Sequence, residues 1–237
     1  MRKIVLFTLI YLLSIALPIT VGAEESKNPE ERYIIKDNTV VDVLSGKEYG
    51  APFTYTEDGK KVKASLKDLR DMLNGKDKTK VKKNKTSKNS GDLGTAYHQE
   101  FVYEETYTYD YWGDSFAISA WLSCPSGNTS CTIKSTTGWS SSETFSSNVE
   151  GGWKDYIRVG ASFSWTDSVT RSTEYTLPIE GGKTGRIRFG PLFNVTYGDY
   201  KVYTYGELTS SEVVRGYSPA SVAGTGEPDG MYYVEYY

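Results

Sequence analysis

The chain has 237 residues and a formal net charge of −3, and 14% of its residues are aromatic, with 20 Tyr and 23 Gly. This weakly acidic balance gives no reason to expect a nucleic-acid partner. The length is sufficient for one domain with a hydrophobic core. Tyr, Thr and Val are abundant and helix-forming residues are scarce after residue 95, so we predict a mainly β fold.

The first 23 residues have the three parts of a secretory signal peptide. Arg2 and Lys3 are positive, residues 4–21 are nearly all apolar, and a Val-Gly-Ala sequence ends at Ala23. The alternative is an uncleaved membrane anchor. We predict cleavage after Ala23 and secretion, which removes two basic residues and lowers the net charge from −3 to −5.

Residues 24–75 are predicted to form a small αβ segment. Short alternating pieces within residues 32–56 indicate strands, and the following residues indicate one helix. Ser65 is placed to cap that helix, Asp68 falls in its first turn, and Gly75 is placed to end it. Such a segment is a pro-segment or a docking module. The predicted apolar face of the helix is Leu66, Leu69 and Leu73.

Residues 76–95 are predicted to be a linker between that segment and the rest of the chain. Lysines dominate the stretch from Lys76 to Lys88, and almost no residue there is apolar. A chain of this composition has nothing to bury. A solvated spacer is the simplest interpretation, and attraction to an anionic cell envelope or access for a protease are the alternatives.

From residue 96 to residue 237 the chain reads as one all-β domain, either an elongated antiparallel sheet or a β-sandwich. Many short alternating segments are separated by Gly, Pro, Asn or Asp. The two cysteines, Cys124 and Cys131, flank a Pro-Ser-Gly-Asn turn. In a secreted protein this spacing predicts a disulfide that closes the turn.

The stretch from Tyr156 to Pro178 shows the clearest alternation of apolar and polar residues in the chain. It predicts a β-hairpin with a loop at residues 166–168, because that register places apolar residues on a common face. The same register places Arg171 on the buried side opposite Phe163. The predicted cross-strand pairs are Trp165 with Val169, Val159 with Tyr175 and Ile157 with Leu177.

Catalytic chemistry finds little support in the sequence. His98 is the single histidine and follows the predicted linker, so most Ser-His and Cys-His mechanisms are not expected. Zinc-type ligand clusters are absent from the sequence, and we predict no metal and no cofactor. A hydrolase using paired carboxylates is the enzymatic alternative. Its candidate acids, which lie near Trp112, are Glu104, Glu105, Asp110 and Asp114.

Residues 135–150 are rich in Ser and Thr, and they precede Gly151 and Gly152, the alternating strand, and a second Ser/Thr-rich strand with Leu177-Pro178. This order, over about residues 130–205, resembles that of the aerolysin-like β-pore-forming proteins of the epsilon-toxin and mosquitocidal-toxin branch. In that family a "tongue" segment refolds into a membrane-spanning hairpin after oligomerisation. By position, the resemblance makes Phe145 to Val159 the tongue.

A membrane-spanning strand needs about 9–11 residues that alternate between lipid and lumen. The stretch from Tyr156 to Trp165 fits that pattern, whereas the preceding arm offers two apolar residues and Trp153-Lys154-Asp155 fall at the turn. The predicted membrane contacts are Phe145, Val149, Ile157, Val159, Ala161, Phe163 and Trp165.

Two non-enzymatic functions therefore remain for a secreted β-protein. The first is action on a lipid membrane, with formation of an oligomer there, as the resemblance implies. The second is binding of glycans or cell-envelope polymers by a β-sandwich through exposed Tyr and Trp.

Overall fold

The computed structural model describes most of the chain from residue 32 to the C-terminus. Of residues 78–82 and 89–91 it describes the backbone alone. The predicted signal peptide, His98 and most of the predicted linker lie outside these residues. The described ranges are 32–55, 60–75, 78–82, 89–91, 99–136, 138–150, 152–172 and 174–237.

The architecture is mainly β, with a large antiparallel sheet and a small helix near the N-terminus, as the sequence predicts. One strand, β15, runs from Thr184 to Thr204 and organises the sheet. Its first half pairs with β17 and its second half with β7 and β16. Its partner strands are β7 (Gln99–Trp112), β8 (Phe116–Ala117), β9 (Leu122–Ser123), β16 (Glu207–Pro219) and β17 (Gly230–Tyr236).

The N-terminal segment extends this sheet, because β3 pairs with β17. The predicted helix forms, and its capping box is present: Ser65 Oγ accepts from the Asp68 amide at 3.0 Å and Asp68 accepts from the Ser65 amide at 3.2 Å. Leu69 and Met72 are its buried residues. The elements are β1 (Tyr33–Lys36), β2 (Thr39–Asp42), β3 (Glu48–Tyr55), β4 (Lys61–Lys63) and α1 (Leu66–Leu73).

An ion cluster around the buried carboxylate of Glu235 ties the N-terminal segment to the sheet. Lys47 Nζ lies 2.7 Å from Glu235 Oε1, Arg186 Nε lies 2.7 Å from Oε2, and Arg188 lies 3.1 Å from Oε2. Burial raises the pKa of Glu235, but these hydrogen bonds outweigh it and bring that pKa to about 2. Residues 32–75 thus share a sheet and a core with the C-terminal part, and the predicted border at residues 76–95 does not separate two cores.

The remaining strands are short, and most of them pair with strands that are not their neighbours in the sequence. β10 pairs with β14 and β11 pairs with β13, while β12 adds to the edge of β16. Two very short strands, β5 and β6, add to β7. The bounds are β5 (Lys78–Lys82), β6 (Asn89–Gly91), β10 (Ser130–Lys134), β11 (Ser140–Ser142), β12 (Thr144–Phe145), α2 (Trp153–Gly160), β13 (Ser168–Thr170) and β14 (Thr176–Glu180).

The predicted hairpin between Tyr156 and Pro178 is wrong. Its first five residues, 156–160, belong to helix α2, and its second arm pairs with β10 and β11 rather than with the first arm. The segment also has apolar or small residues at the helical spacing i, i+3, i+4 and i+7, so it fits both periods. Arg171 is buried, as predicted, but it pairs with Glu227 rather than lying opposite Phe163. The residues at helical spacing are Trp153, Tyr156, Ile157 and Gly160.

The predicted disulfide is confirmed. Cys124 and Cys131 are bonded, with their Cα atoms 5.6 Å apart. Cys124 is buried in the core cluster that also contains Ile133, Leu177 and Phe189. The bond therefore closes the turn between β9 and β10 and fixes the start of the hairpin described next.

Candidate functional site

The four strands β10, β11, β13 and β14 form one long two-stranded hairpin in a single register. Ser130 lies opposite Glu180 at one end, and Ser142 lies opposite Ser168 near the other. Between the two strand pairs, backbone hydrogen bonds from Ser135 to Tyr175 and from Arg171 to Trp139 keep that register. We call residues 129–143 and 167–181 the ribbon, and the intervening residues 144–166 the tip.

The ribbon has one buried face and one exposed face. Side chains alternate along both arms, as they do in extended strands. Among the described residues of 130–143 and 168–181, the odd-numbered ones are buried or half-buried and the even-numbered ones are exposed. Buried members of the odd-numbered face are Ile133, Ser135, Ser141, Val169, Arg171, Tyr175, Leu177 and Ile179.

The tip does not continue the ribbon but folds back over β7, β15 and β16. β12 pairs with β16 through Thr144 opposite Tyr217 and Phe145 opposite Gly216. Helix α2 follows, and its Ile157 is completely buried. The Trp153 ring stacks on that of Tyr200, with 4.2 Å between ring centroids.

Two glycines allow this close packing. A Cβ atom on Gly160 would lie 2.6 Å from Tyr103 Cδ1, closer than real Cβ contacts come. A Cβ atom on Gly216 would lie 2.7 Å from the Trp165 ring and 3.0 Å from Ile157 Cγ2. Any larger residue at either position would push α2 away from the sheet.

A buried polar group under the tip adds a specific contact. The Glu105 carboxylate accepts a hydrogen bond from the Ser162 amide at 3.2 Å and another from Thr196 Oγ1 at 2.7 Å. The Tyr103 hydroxyl and Thr196 Oγ1 are 2.7 Å apart. The chain just after α2 is thus anchored to β7 and β15.

Charged residues meet where the tip joins the ribbon, and we call Glu143, Arg158, Asp167 and Trp165 the neck cluster. Arg158 donates to both Glu143 oxygens, with Nε 3.0 Å from Oε2 and Nη2 bonded to Oε1. Its Nε also lies 3.6 Å from Asp167 Oδ1. Trp165 Nε1 donates to Glu143 Oε2 at 2.8 Å. The hydrogen bond from Arg158 is the largest effect on Glu143 and lowers its pKa, against a smaller opposing effect of burial.

The predicted membrane contacts are brought into one small region, but not as one strand. Ile157 is buried, and Phe145, Val149 and Trp165 pack partly buried around it. Phe163 stacks on Trp165, Ala161 caps α2, and Val159 is 68% exposed. Sequence reasoning missed Trp153, which it placed at the turn, and Tyr156, which it placed at the start of a strand. Their helical spacing with Ile157 was the available signal.

A family profile matches residues 95–225, more than half of the chain. The chain belongs to the DUF6060 family, a family of unknown function. The matched residues contain β7, the ribbon, the tip, β15 and β16. No curated protein and no solved structure matches the chain. Membership in DUF6060 therefore covers the tip and the three strands beneath it.

Two of the four acidic residues considered for hydrolysis, Glu104 and Glu105, have structural partners. Glu104 binds Lys201 Nζ at 2.6 Å, and Glu105 holds the tip as described. Across the described ranges, no group of three or more His, Cys, Asp or Glu side chains is arranged to hold a metal ion. Within the same part of the chain, no helix has both the length and the apolar character needed to cross a membrane.

The sheet face opposite the tip carries a row of tyrosines. Thr196 and Tyr200 face the tip, so Tyr197 faces away from it, together with its cross-strand neighbour Tyr107. These two rings stack 4.7 Å apart, and the Arg215 guanidinium lies 5.3 Å from the Tyr197 centroid. A cavity of about 390 Å³ lies nearby, lined by Tyr111, Gly113, Asp114, Thr144, Phe145, Ser146, Phe193 and Tyr217.

Proposed function

We propose that this chain is a secreted, non-enzymatic protein that acts on membranes by converting its tip into an extension of the ribbon. The observation that carries the proposal is the register. If the ribbon register continues past Glu143 and Asp167, residues 144–153 pair with residues 157–166 around a three-residue turn at residues 154–156. The continued register gives the cross-strand pairs Phe145 with Trp165, Ser147 with Phe163, Val149 with Ala161 and Trp153 with Ile157.

In this extended form the two faces of the tip differ sharply. One face collects every predicted membrane contact and adds Trp153, with Ser147 and Gly151 as its two exceptions. On the other face, no residue of the two arms is aromatic. The polar face consists of Thr144, Ser146, Asn148, Glu150, Gly152, Arg158, Gly160, Ser162, Ser164 and Thr166.

Arms of this length and alternation suit a bilayer. A membrane-spanning strand takes about 9–11 residues, and residues 144–153 and 157–166 each fit that length. In the folded structure Phe145 and Trp165 already stack, with ring centroids 5.5 Å apart. The first cross-strand contact of the extended form is therefore in place before the tip leaves the sheet.

The extended form needs both lipid and further copies of the chain. In water it would expose Ile157 and Trp153, which the folded tip packs against the sheet. In lipid, a single hairpin would leave unpaired backbone N–H and C=O groups along its two edges, and each such group costs several kcal/mol. Pairing between hairpins of neighbouring copies removes that cost, so the proposal includes an oligomer on the membrane.

Release of a trapped dye from vesicles tests this function. We expect the mature protein to release carboxyfluorescein from phosphatidylcholine–cholesterol vesicles or from target cells and to form detergent-resistant oligomers on them. The assay is repeated at pH 4.5 to 7.5 and after Lys-specific cleavage within residues 76–88. If no dye is released in any of these conditions, the membrane proposal is wrong.

A second candidate function, glycan binding, is favoured by the row of tyrosines. Aromatic rings beside hydroxyl groups and a carboxylate are the usual composition of a sugar site, and the cavity next to Tyr111 and Tyr217 has all three. We expect Tyr217→Ala to abolish retention on immobilised polysaccharides if this site is used. Tyr205→Ala, at an exposed turn, is the control. Retention without dye release would favour this function over the first.

A further inference from the structure

We propose that Glu143, Arg158 and Asp167 form an acid-sensitive lock that holds the tip in its folded, helical form. The inference rests on the proposed function, because it concerns the control of the same conversion. These three charged residues contact one another in the folded form, although the extended register does not require their contacts.

Glu143 and Asp167 are the last cross-strand pair of the ribbon. The Glu143 amide donates to the Asp167 carbonyl at 2.7 Å, so the two carboxylates leave neighbouring strands on the same side. Like charges directly opposite each other destabilise a strand pair. Arg158 contacts both carboxylates, and its guanidinium therefore compensates the repulsion.

Extension of the tip necessarily removes Arg158 from this position. In the extended register Arg158 lies opposite residue 152 and on the polar face, whereas Glu143 is on the other face. Residue 152 is nine positions along the strand from Glu143, which corresponds to about 30 Å. The ion pair between Arg158 and Glu143 exists in the folded form alone, and it biases the equilibrium toward that form.

The other charged groups near the lock leave with Arg158. Asp155 Oδ1 accepts from Arg158 Nη1 at 2.7 Å, and Lys154 Nζ lies 5.3 Å from the centroid of the Phe145 ring. Both residues are on α2 and move to the turn of the extended hairpin. The extended form thus keeps Glu143 facing Asp167 and loses the cations that accompany them.

Proton uptake then accompanies extension. In the folded form the pKa of Glu143 is lowered, chiefly by the Arg158 hydrogen bond. In the extended form a second carboxylate faces Glu143 without a cation, and that repulsion raises the pKa of Glu143 relative to the folded form. Relative to the extended form, the lock therefore contributes fully above the pKa that Glu143 has in the extended form. Its contribution is lost as the pH falls from there through the lower folded-state pKa. Acid favours extension.

Hydrogen exchange of the lipid-free protein tests the lock separately from membrane activity. After correction for intrinsic rates, we expect protection of the amides of α2 to fall as the pH is lowered from 7.5 to 4.5. In Glu143→Gln, protection at pH 7.5 should be about tenfold lower, as expected for loss of a charge-assisted contact. The matched control is Glu174→Gln, which breaks the exposed Lys134–Glu174 pair on the ribbon and should change nothing.

The outcomes separate the two proposals. If protection of α2 is the same in Glu143→Gln and wild type, with β15 protected in both, the lock is wrong. Arg158→Gln provides the same measurement if Glu143→Gln does not fold. A third outcome is that protection of α2 falls with pH in wild type, that this pH dependence is absent from the variants, and that no dye is released at any pH. In that case the lock is supported and the membrane proposal fails. Dye release that is independent of pH, with unchanged protection, overturns the lock alone.

Discussion

Joining the tip to the sheet with a disulfide should abolish dye release, and reduction should restore it. Gly160 and Tyr103 are the positions to replace with cysteine, because a Cβ atom on Gly160 would lie 3.4 Å from Tyr103 Cβ. Disulfides have Cβ–Cβ distances of about 3.5–4.5 Å, so a small shift suffices. The bond would prevent α2 from leaving β7. We expect the rate of dye release to fall by at least about 100-fold in the oxidised double variant, because few molecules would lack the engineered disulfide.

The controls for this experiment are the two single variants and the wild type with reductant. Tyr103→Cys removes a buried ring from the cluster that contains Ile157, and Gly160→Cys places a side chain against Tyr103. The folding of both single variants must therefore be verified by circular dichroism. The wild type with reductant measures the contribution of the native bond between Cys124 and Cys131. If the oxidised, folded double variant releases dye as fast as its reduced form, the tip acts without leaving the sheet.

Features that depend on neighbouring residues were predictable from the sequence. The capping box of Ser65 and Asp68 and the disulfide of Cys124 and Cys131 involve residues only a few positions apart. The mainly β architecture follows from alternation and composition. These signals come from residues close together in the sequence, so long-range packing does not change the structure that they predict.

The tip was misassigned because its sequence satisfies two periods. Tyr156 to Trp165 alternates as a strand does, while Trp153, Tyr156 and Ile157 have helical spacing. What selects the helix is the surface beneath it, including Gly216, far along the chain, where the absent side chain leaves room for Ile157. In the proposed function both periods are needed, because the helical period stabilises the folded tip and the alternating period gives the extended tip one apolar face.

The pairing of the ribbon and the length of β15 were also beyond local reasoning. The arms of the ribbon are joined through the whole tip, so no short turn sets their register. Gly198 and Asp199 suggest a break between two strands, yet β15 continues through them, as it does through Gly190 and Pro191. At this point the strand exchanges β17 for β7 and β16 as partners, and Pro191 lacks the amide that a ladder would use.

A single charge on the lipid-facing side of the extended tip should block membrane activity without affecting the folded protein. Val159 is suited to this test because it is 68% exposed on α2. Replacement by Lys should change the free energy of unfolding by less than about 0.5 kcal/mol. In the extended form Val159 is on the apolar face, two positions from the middle of its arm. Lys on the lipid face costs about 2–4 kcal/mol at the bilayer midplane and less toward the interfaces. Dye release should therefore fall at least about 10-fold, the change in rate or population that about 1.4 kcal/mol produces.

Ser164→Lys is the matched control for Val159→Lys. Ser164 is also exposed in the folded protein, and the new lysine adds the same charge. In the extended register, however, Ser164 lies on the polar face, so Ser164→Lys should release dye as wild type does. A static tip with no second form predicts no difference between the two variants, since both residues are exposed in the folded protein. Equal activity of Val159→Lys and Ser164→Lys would therefore contradict the register on which the membrane proposal rests, whatever their absolute rates.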